Sequence, residues 1–338
     1  MSRTRTLITL LLTLLLSVSL VACSGDKPAK DESPDSGSST TPEAPPEPQT
    51  EPLTGIELPA GESVERKHAV IVVKIDNVED AAPQSGLSQA DLVVEEEVEG
   101  GATRLAAFYY STLPKVVGPV RSMRASDIGI VSPVGASIVT SGAAAVTIGR
   151  IRRADIRFFE EGSDGIYRDN ERFAPHNVFT DLTTIAKHAK SSDGRPSDYL
   201  PWGAETDFVG VQPATKITAD FGYIRATEWE FRDGTYVNTN SYAAADDQFP
   251  ADTVLVLRVK VGDAGYTDPA GNPVPETKFV GKGKAMIFHA GQVMRASWSK
   301  SDLGAPLELS TAAGPVRIPA GKVFIELVPA KTGSVTFN

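Results

Sequence analysis

The composition of the first 54 residues predicts that they lie outside the folded core, so we expect the fold to be formed by residues 55–338. Arg3 and Arg5 precede an apolar run from Leu7 to Ala22, and this arrangement is typical of a secretory signal peptide. Residues 24–54 are rich in Pro, Ser and Glu, lack aromatic residues, and carry seven acidic and two basic side chains. Such a sequence cannot bury enough apolar surface to offset the entropy of ordering. We therefore predict a signal peptide over residues 1–22 and a disordered tether over residues 23–54.

The end of this signal, Leu20-Val21-Ala22-Cys23, resembles the bacterial lipobox. The resemblance implies cleavage before Cys23 and attachment of acyl chains such as palmitate, which hold the protein on the outer face of the cell membrane. A plain secreted protein with a chance cysteine and an uncleaved signal anchor are the alternatives. Cys23 is the single cysteine of the chain, so its lipidation leaves no thiol for a disulfide, a thiolate metal site or a catalytic cysteine.

The remaining body is acidic, with 29 basic and 36 acidic residues. This balance argues against nonspecific binding to nucleic acid or to anionic lipid. No apolar run in the body approaches the roughly 20 residues that cross a bilayer. We therefore expect a membrane partner only through the lipid on Cys23, and no nucleic-acid partner.

The first half of the body alternates between strand and helix patterns. Residues 68–77 form a continuous run rich in β-branched residues, which predicts a strand buried on both faces. Residues 91–99 and 103–110 flank Gly100-Gly101, a hairpin signal. A short strand over residues 136–140 leads into a helix ending near Arg153, and Thr180 or Asp181 caps a helix that continues to His188.

After residue 215 the pattern changes to short alternating runs separated by Gly, Asp and Pro, and no helix is indicated. These runs are residues 223–231, 253–259, 278–289, 293–298 and 323–328. We predict an α+β fold in two parts. The first is an α/β domain over residues 55–205 with a mixed sheet and a few helices, and the second is a β-rich domain over residues 206–338.

Arginine is concentrated between Gly100 and Phe173, where nine arginines accompany one lysine. The guanidinium group is a planar donor that binds carboxylate or phosphate through two hydrogen bonds. An anion-binding cleft is therefore one interpretation. The other is that the arginines pair with nearby carboxylates, and that Arg150, Arg152 and Arg153 form the basic end of a helix.

Two turns add to the anion-binding interpretation. If a helix begins at Gly118-Pro119, Arg121 and Arg124 share one of its faces beside free backbone N–H groups. Ser141, at the end of a strand that opens into a helix, is a candidate for anion contact, for capping or for a nucleophile. The glycine pattern of a nucleophile elbow is missing around it.

Residues 168–177 form the richest polar stretch and contain Arg168, Arg172, His176 and Asn177. His176 is a candidate general acid or base, oriented by Asp169 or a nearby glutamate; alternatively, His176 and Asn177 satisfy backbone groups of a loop. The other histidines lack the spacing of a zinc site. We therefore predict no metal and no cofactor.

Several motifs recur in order along the body. They are Pro83–Leu87, Gln89–Asp91, Glu95, Glu99–Gly101, Thr103–Arg104, Gly118–Ser122 with Arg124, and Arg172 with Ala174–Asn177, followed more weakly by Trp298, Lys300 and Gly321. In these motifs the chain resembles the YerB-type lipoproteins. The resemblance implies a lipid-anchored domain to which no function is assigned, so no catalytic role can be transferred. Residues 95–97 depart from the pattern in being all acidic, which leaves Glu95 and Glu99 as the acids expected at a shared site.

From these observations we expect an extracytoplasmic lipoprotein that binds an anionic envelope component, such as a peptidoglycan stem carboxylate or a polymer phosphate. The expected ligand-binding residues are Arg104, Arg121, Arg124, Ser141, Arg168, Arg172, His176 and Asn177. One alternative is a cell-wall hydrolase or transferase that uses His176 with Glu95 or Glu99. Another is a partner in envelope assembly that acts through the β-rich part. Whether the protein is an enzyme and which proteins it contacts stay open.

Overall fold

The computed structural model describes residues 49–191, 194–268 and 271–338. The predicted signal peptide, Cys23 and most of the predicted tether lie outside the described residues. The predicted end of the tether at residue 54 is wrong, because residues 51–55 are buried in the body and Leu53 is only 1% exposed. Leu53 is the single leucine of residues 24–54. The prediction rested on the average composition of this stretch, which does not show that one of its residues packs in the core.

The strands of the first half lie between residues 71 and 180. They are β1 (Ile71–Asn77), β2 (Leu92–Glu97), β3 (Thr103–Tyr109), β4 (Ser137–Val139), β5 (Phe158–Phe159), β6 (Ile166–Arg168) and β7 (Val178–Thr180). The predicted strand over residues 68–77 and the predicted hairpin are confirmed, since β1 is buried along its whole length and pairs with β3, which in turn pairs antiparallel with β2.

The second half consists mainly of strands and begins near residue 202. The strands that follow β7 are β8 (Trp202–Gly203), β9 (Gln212–Pro213), β10 (Lys216–Asp220), β11 (Ala226–Arg232), β12 (Thr235–Asn238), β13 (Thr253–Thr267), β14 (Pro273–Lys278), β15 (Gly281–His289), β16 (Gln292–Lys300), β17 (Glu308–Thr311), β18 (Gly314–Pro315), β19 (Ile318–Pro319), β20 (Val323–Pro329) and β21 (Ser334–Phe337). The predicted runs correspond to β11, β13, β15, β16 and β20.

Three α-helices occur in the described ranges: α1 (Asp127–Val131), α2 (Ala145–Arg153) and α3 (Leu182–His188). Single 3-10 turns span Glu79–Ala81, Leu87–Gln89, Glu99–Gly101, Ser132–Val134 and Glu205–Asp207. Asp181 caps α3 by accepting from the Thr183 N–H, and Arg150, Arg152 and Arg153 form the last turn of α2, both as predicted. None of the helices within the described ranges is long and apolar enough to cross a membrane.

Strands from both halves form one mixed sheet of thirteen strands. Its main path runs β18-β17-β16-β15-β13-β20-β2-β3-β1-β4-β5. Strand β20 lies between β13 and β2 and is parallel to both, so the chain returns from its C-terminal part to complete the N-terminal part. The α+β fold class is confirmed, whereas the division into domains near residue 205 stays a prediction.

The central strands are apolar on both sides because each face of the sheet is covered. On one face Val72, Val94, Phe108 and Ile325 join a core with α1 and α2. On the other face the strands pack against α3 and a second sheet ordered β12-β11-β10-β21. Alternate residues of each strand point to alternate faces, so every side chain of these strands must be accommodated in one core or the other.

Replacing Leu53 with Ala tests whether the segment before residue 55 belongs to the body. We expect the free energy of unfolding of the full-length protein to fall by about 2–5 kcal/mol, because a buried leucine is replaced by a cavity. Urea unfolding measures the change. Leu303, which is 42% exposed, provides the control, and Leu303→Ala should cost about 0.5 kcal/mol or less. Equal effects of the two substitutions would contradict a packed segment.

Candidate functional site

Charged residues interrupt the apolar sequences of the central strands β1, β2 and β3. Lys74 is fully buried and binds Glu96 at 2.8 Å and Asp127 at 2.7 Å. Burial alone lowers the pKa of Lys74, but the two carboxylates outweigh burial and raise it. Burial, together with the Asp127 charge, raises the pKa of Glu96. This buried ion cluster ties α1 to the sheet.

On the opposite face Glu95 is the centre of a second buried network. Its Oε1 accepts hydrogen bonds from Asn77 Nδ2 (2.9 Å) and Thr103 Oγ1 (2.6 Å), and its Oε2 accepts from Thr227 Oγ1 (2.8 Å). Arg225 Nε lies 3.5 Å from Oε1. Thr227 lies on β11 of the second sheet, and Arg225 immediately precedes that strand. The network therefore joins the two sheets.

Glu326 of β20 is the register neighbour of Glu95 and is also fully buried. Trp229 Nε1 donates to its Oε1 at 2.9 Å, and Oε2 has no donor among the described residues. Burial and the adjacent Glu95 charge raise the pKa of Glu326 well above its ordinary value. A proton on Glu326 removes the repulsion between the two carboxylates.

A third group, which we call the arginine cluster, consists of Asp76, Glu99, Arg104, Arg121, Arg124 and His176. Asp76, near the end of β1, is 3% exposed. Its Oδ2 lies 2.7 Å from His176 Nδ1 and 3.0 Å from Arg121 Nε. The prediction that Asp169 or a nearby glutamate orients His176 is wrong, because the imidazole is oriented by Asp76, which lies 100 residues away in the sequence.

Arg104, on β3, is 6% exposed and donates from Nη1 to the Ser122 carbonyl oxygen at 2.6 Å. Its Nε is buried without a hydrogen-bond partner in the described structure. Burial, together with the charges of Arg124 and Arg121, lowers the pKa of Arg104 to about 9. Three guanidinium groups therefore face two carboxylates, and the cluster retains excess positive charge.

The geometry of Arg121 and Arg124 differs from the predicted shared helix face. The segment from Gly118 to Arg124 is not helical, and α1 starts only at Asp127. The Arg121 N–H donates to the Lys74 carbonyl oxygen, which holds the segment against β1. Arg124 binds both oxygens of Glu99 at 2.6 and 2.5 Å, so its charge is already paired.

The remaining predicted ligand residues have other partners. Arg172 donates to the carbonyl oxygens of residues 81–83 and lies over the Phe179 ring. Arg168 pairs with Glu161 and donates to Asn177 Oδ1 at 2.6 Å. These contacts stabilise the loop that carries His176, which is the role that the alternative interpretation gave to this stretch.

Ser141 lies beside the arginine cluster without joining it. Its Oγ is 3.4 Å from Ser122 Oγ, and its N–H donates to the Arg121 carbonyl oxygen. Ser141 does not cap α2, whose N-cap residue is Ala144. Neither of the carboxylates expected to assist His176 forms a hydrogen bond with its imidazole. Glu95 belongs to the buried network around Arg225, and Glu99 is paired with Arg124.

The Nε atoms of Arg104 and Arg121 are buried without a hydrogen-bond partner in the described structure, although Arg121 Nε forms an ion pair with Asp76. Three further sets of atoms in the arginine cluster have no partner among the described residues: the terminal nitrogens of Arg121, the Nη2 of Arg104 and the Nε2 of His176. None of these further atoms is fully buried, so solvent reaches them. Such donors bind an anion, and a histidine held by a carboxylate through Nδ1 can accept a proton at Nε2. Within the described ranges, no group of three or more His, Cys, Asp or Glu side chains is arranged to hold a metal.

Four buried charged residues of these networks were not predicted from the sequence: Lys74, Asp76, Arg225 and Glu326. A signal for two of them was present, because Lys74 and Asp76 interrupt a run predicted to be buried on both faces, and a buried charge requires a partner. Arg225 and Glu326 carried no such local signal, because their partner Glu95 lies more than 100 residues away in the sequence.

The fold and the cluster together define a mixed-sheet body with a partly unsatisfied cationic site at one end of its central strands. Two domain models of one family match this body: the N-terminal domain of the protein of unknown function DUF3048 over residues 53–195, and the C-terminal domain of DUF3048 over residues 217–325. Together the two matches cover most of the chain. The chain belongs to the DUF3048 family.

Two comparisons with individual proteins agree with this assignment. The candidate lipoprotein YerB of Bacillus subtilis (strain 168) is 24% identical over 297 residues, which are 82% of this chain and 86% of that protein. The crystal structure of the YerB protein from Bacillus subtilis superposes with a TM-score of 0.70 at 21% identity and covers 85% of this chain and 99% of that one. The resemblance to YerB-type proteins is therefore confirmed, and the structural match establishes a shared fold.

Replacing Glu326 with Gln tests the raised pKa of Glu326. Because folding raises this pKa, the stability that Glu326 contributes is fully present below its unfolded pKa near 4.5 and is lost as the pH rises from there through the folded pKa. The loss amounts to about 1.4 kcal/mol per pH unit in that window. Glu326→Gln remains neutral, so we expect its free energy of unfolding to depend less on pH than that of the wild type.

Urea unfolding between pH 4.5 and pH 8 measures the difference. Glu228→Gln is the matched control, since Glu228 is exposed on β11, and its curve should follow the wild type. Parallel curves for wild type and Glu326→Gln would show that the carboxyl pair holds no extra proton.

Proposed function

We propose that this chain is a lipoprotein of the bacterial cell envelope whose body binds an anionic group at the arginine cluster. The signal and the lipobox-like Cys23 support the anchor, as does the similarity to a relative that is named as a candidate lipoprotein. Acyl chains on Cys23 hold the body at the outer face of the membrane. The anionic group is a peptidoglycan stem carboxylate or the phosphate of an envelope polymer.

One observation carries the binding proposal, namely the incomplete pairing of Arg104. A guanidinium that is 6% exposed, with an unpartnered Nε and two further guanidinium groups nearby, is costly to bury. A bound anion accepts from the open Nη2 of Arg104 and supplies the missing negative charge next to the buried Nε. Arg104 Nη2 and the terminal nitrogens of Arg121 both lack protein acceptors in the described ranges, so they can bind such an anion without breaking an ion pair.

The arrangement also favours carboxylate or phosphate over a neutral sugar. Arg124 is fully engaged by Glu99, and Asp76 engages only Nε of Arg121. The fork of Arg121 thus remains available for two parallel hydrogen bonds, the geometry that carboxylate and phosphate accept. His176 Nε2 adds a donor when the imidazole is protonated.

Binding of purified soluble cell-wall fragments to the full-length protein in uncharged detergent tests this proposal. Charge-assisted hydrogen bonds contribute about 1.5–3 kcal/mol each, so Arg104→Gln with Arg121→Gln should weaken binding by about a hundredfold or more. Titration calorimetry provides the dissociation constants. Fragments stripped of their phosphate polymer identify which anion is bound, because binding survives stripping only if stem carboxylates are recognised.

Arg232→Gln serves as the control, since Arg232 is exposed and pairs with Glu230. It should bind the fragments as the wild type does. The thermal midpoint of the double variant shows whether the body still folds. If the folded double variant binds the fragments as tightly as the wild type, the arginine cluster is not the binding site.

A second candidate function rests on the hydrogen bond between Asp76 and His176. A carboxylate that accepts from Nδ1 leaves Nε2 as a base, and this pair is common among enzymes that activate water or a hydroxyl group. We propose as the alternative that the protein is a cell-wall hydrolase or transferase in which His176 is the general base. Arg121 and Arg104 then position the anionic part of the substrate.

Turnover of wall polymers, followed by the release of new amino or reducing ends, separates the two candidates. His176→Ala and Asp76→Asn should each abolish or strongly reduce turnover, typically by about 10²-fold or more. The control His188→Ala changes an exposed histidine paired with Asp164 and should retain activity. If the wild type binds wall polymers without measurable turnover, the hydrolase or transferase hypothesis is rejected and the binding hypothesis is retained.

A further inference from the structure

A second cationic surface lies in the C-terminal half, and none of its residues belongs to the arginine cluster. It is a concavity of about 970 Å³ whose lining includes five basic side chains and no acidic one. The basic residues are Arg258, Lys260, Lys282, Lys284 and Arg295. We call this surface the basic groove. The chain as a whole has a formal net charge of −10, so the basic groove is opposite in charge to the protein that carries it.

Strand alternation builds the basic groove. Lys282, Lys284 and Met286 point to one side of β15, while the intervening Ala285 and Ile287 are buried in the core on the other face. On the neighbouring strand β16, Ser297 lies opposite Lys284 and Arg295 lies opposite Met286. Lys284 and Arg295 are therefore diagonal neighbours, about 7–8 Å apart along the sheet.

The lysines of the basic groove are not neutralised by the protein. Lys260, Lys282 and Lys284 are exposed, and the described residues offer them no ion pair or side-chain hydrogen bond. Arg258 donates to the carbonyl oxygens of Pro329, Ala330 and Gly333. These contacts anchor the guanidinium but leave its charge uncompensated.

Arg295 is held in a similar way, over the Phe337 ring at 5.2 Å. No carboxylate within the described part of the chain forms an ion pair with any of the five cations. Like charges crowded on one face of a sheet are destabilising. A ligand of opposite charge relieves that repulsion.

We propose that the basic groove binds a soluble linear polyanion, whose successive phosphate or carboxylate groups pair with successive basic side chains. The concave shape favours a chain that lies within the groove over the flat surface of a bilayer. Ser297, Ser310 and Thr311 in the lining supply hydroxyl donors for the same oxygens. The lining holds no aromatic side chain, so the base stacking that single-stranded nucleic acid requires is missing.

Fluorescence anisotropy of end-labelled polymers tests the groove on the full-length protein in uncharged detergent. The probes are poly(glycerol phosphate) and polyglutamate of equal charge number. We expect at least one of the two to bind, with affinity falling steeply as salt is added. Replacing Lys260, Lys282 and Lys284 together with Gln should weaken binding by roughly 10- to 100-fold, because three cationic contacts are lost.

The matched control replaces three exposed lysines of the N-terminal half, Lys67, Lys115 and Lys187, with Gln. It has the same net charge as the groove variant and should bind as the wild type does. The polymer that binds with the higher affinity shows whether the groove prefers phosphate or carboxylate groups. Both variants change exposed side chains only, and circular dichroism verifies that they remain folded.

Three results would overturn the proposal. One is equal loss in the groove and control variants, which would reduce the effect to net charge. Another is the absence of binding to both polymers. The third is binding that occurs only with anionic vesicles or only with single-stranded DNA, which would assign the surface to a membrane or to nucleic acid instead.

Discussion

The burial of the central sheet on both faces is the constraint on which the rest of this structure depends. Strand β20 completes that sheet by lying between β13 and β2, so segments more than 200 residues apart in the sequence share one ladder. A charge on these strands has no access to water and must find its partner inside. Lys74 meets Glu96 and Asp127 on one face, and Glu95 meets Arg225 on the other.

The arginine cluster lies where this strict pairing ends. Asp76 and Arg104 sit on the same central strands as the buried clusters, but the loops that carry Arg121 and His176 bring solvent-accessible groups to them. The result is a site built on rigid strands and completed by loops, with one arginine fully paired and two partly unsatisfied. Positive charge held in place before a ligand arrives needs no reorganisation on binding, and this preorganisation favours the proposed binding of an anion at the arginine cluster.

Much of the N-terminal half could be predicted because its signals are local. The β-branched run predicted β1, the Gly100-Gly101 pair predicted the hairpin, and Asp181 predicted a helix cap. The pairing of His176 could not be predicted, since Asp76 lies 100 residues away. The short strands β10, β12 and β21 were missed for a similar reason, because their order comes from packing on the main sheet rather than from their own periodicity.

The sequence by itself determined the fold class, the acidic body and the predicted lipid-anchored address, because these depend on composition, periodicity and the residues around Cys23. It also determined that arginine is concentrated before residue 173. Only the tertiary structure decided which arginines remain available: Arg124, Arg168 and Arg172 are engaged, whereas Arg104 and Arg121 keep free donors. Whether a charge is paired depends on which neighbour the fold brings within about 4 Å, and no local pattern in the sequence records that distance.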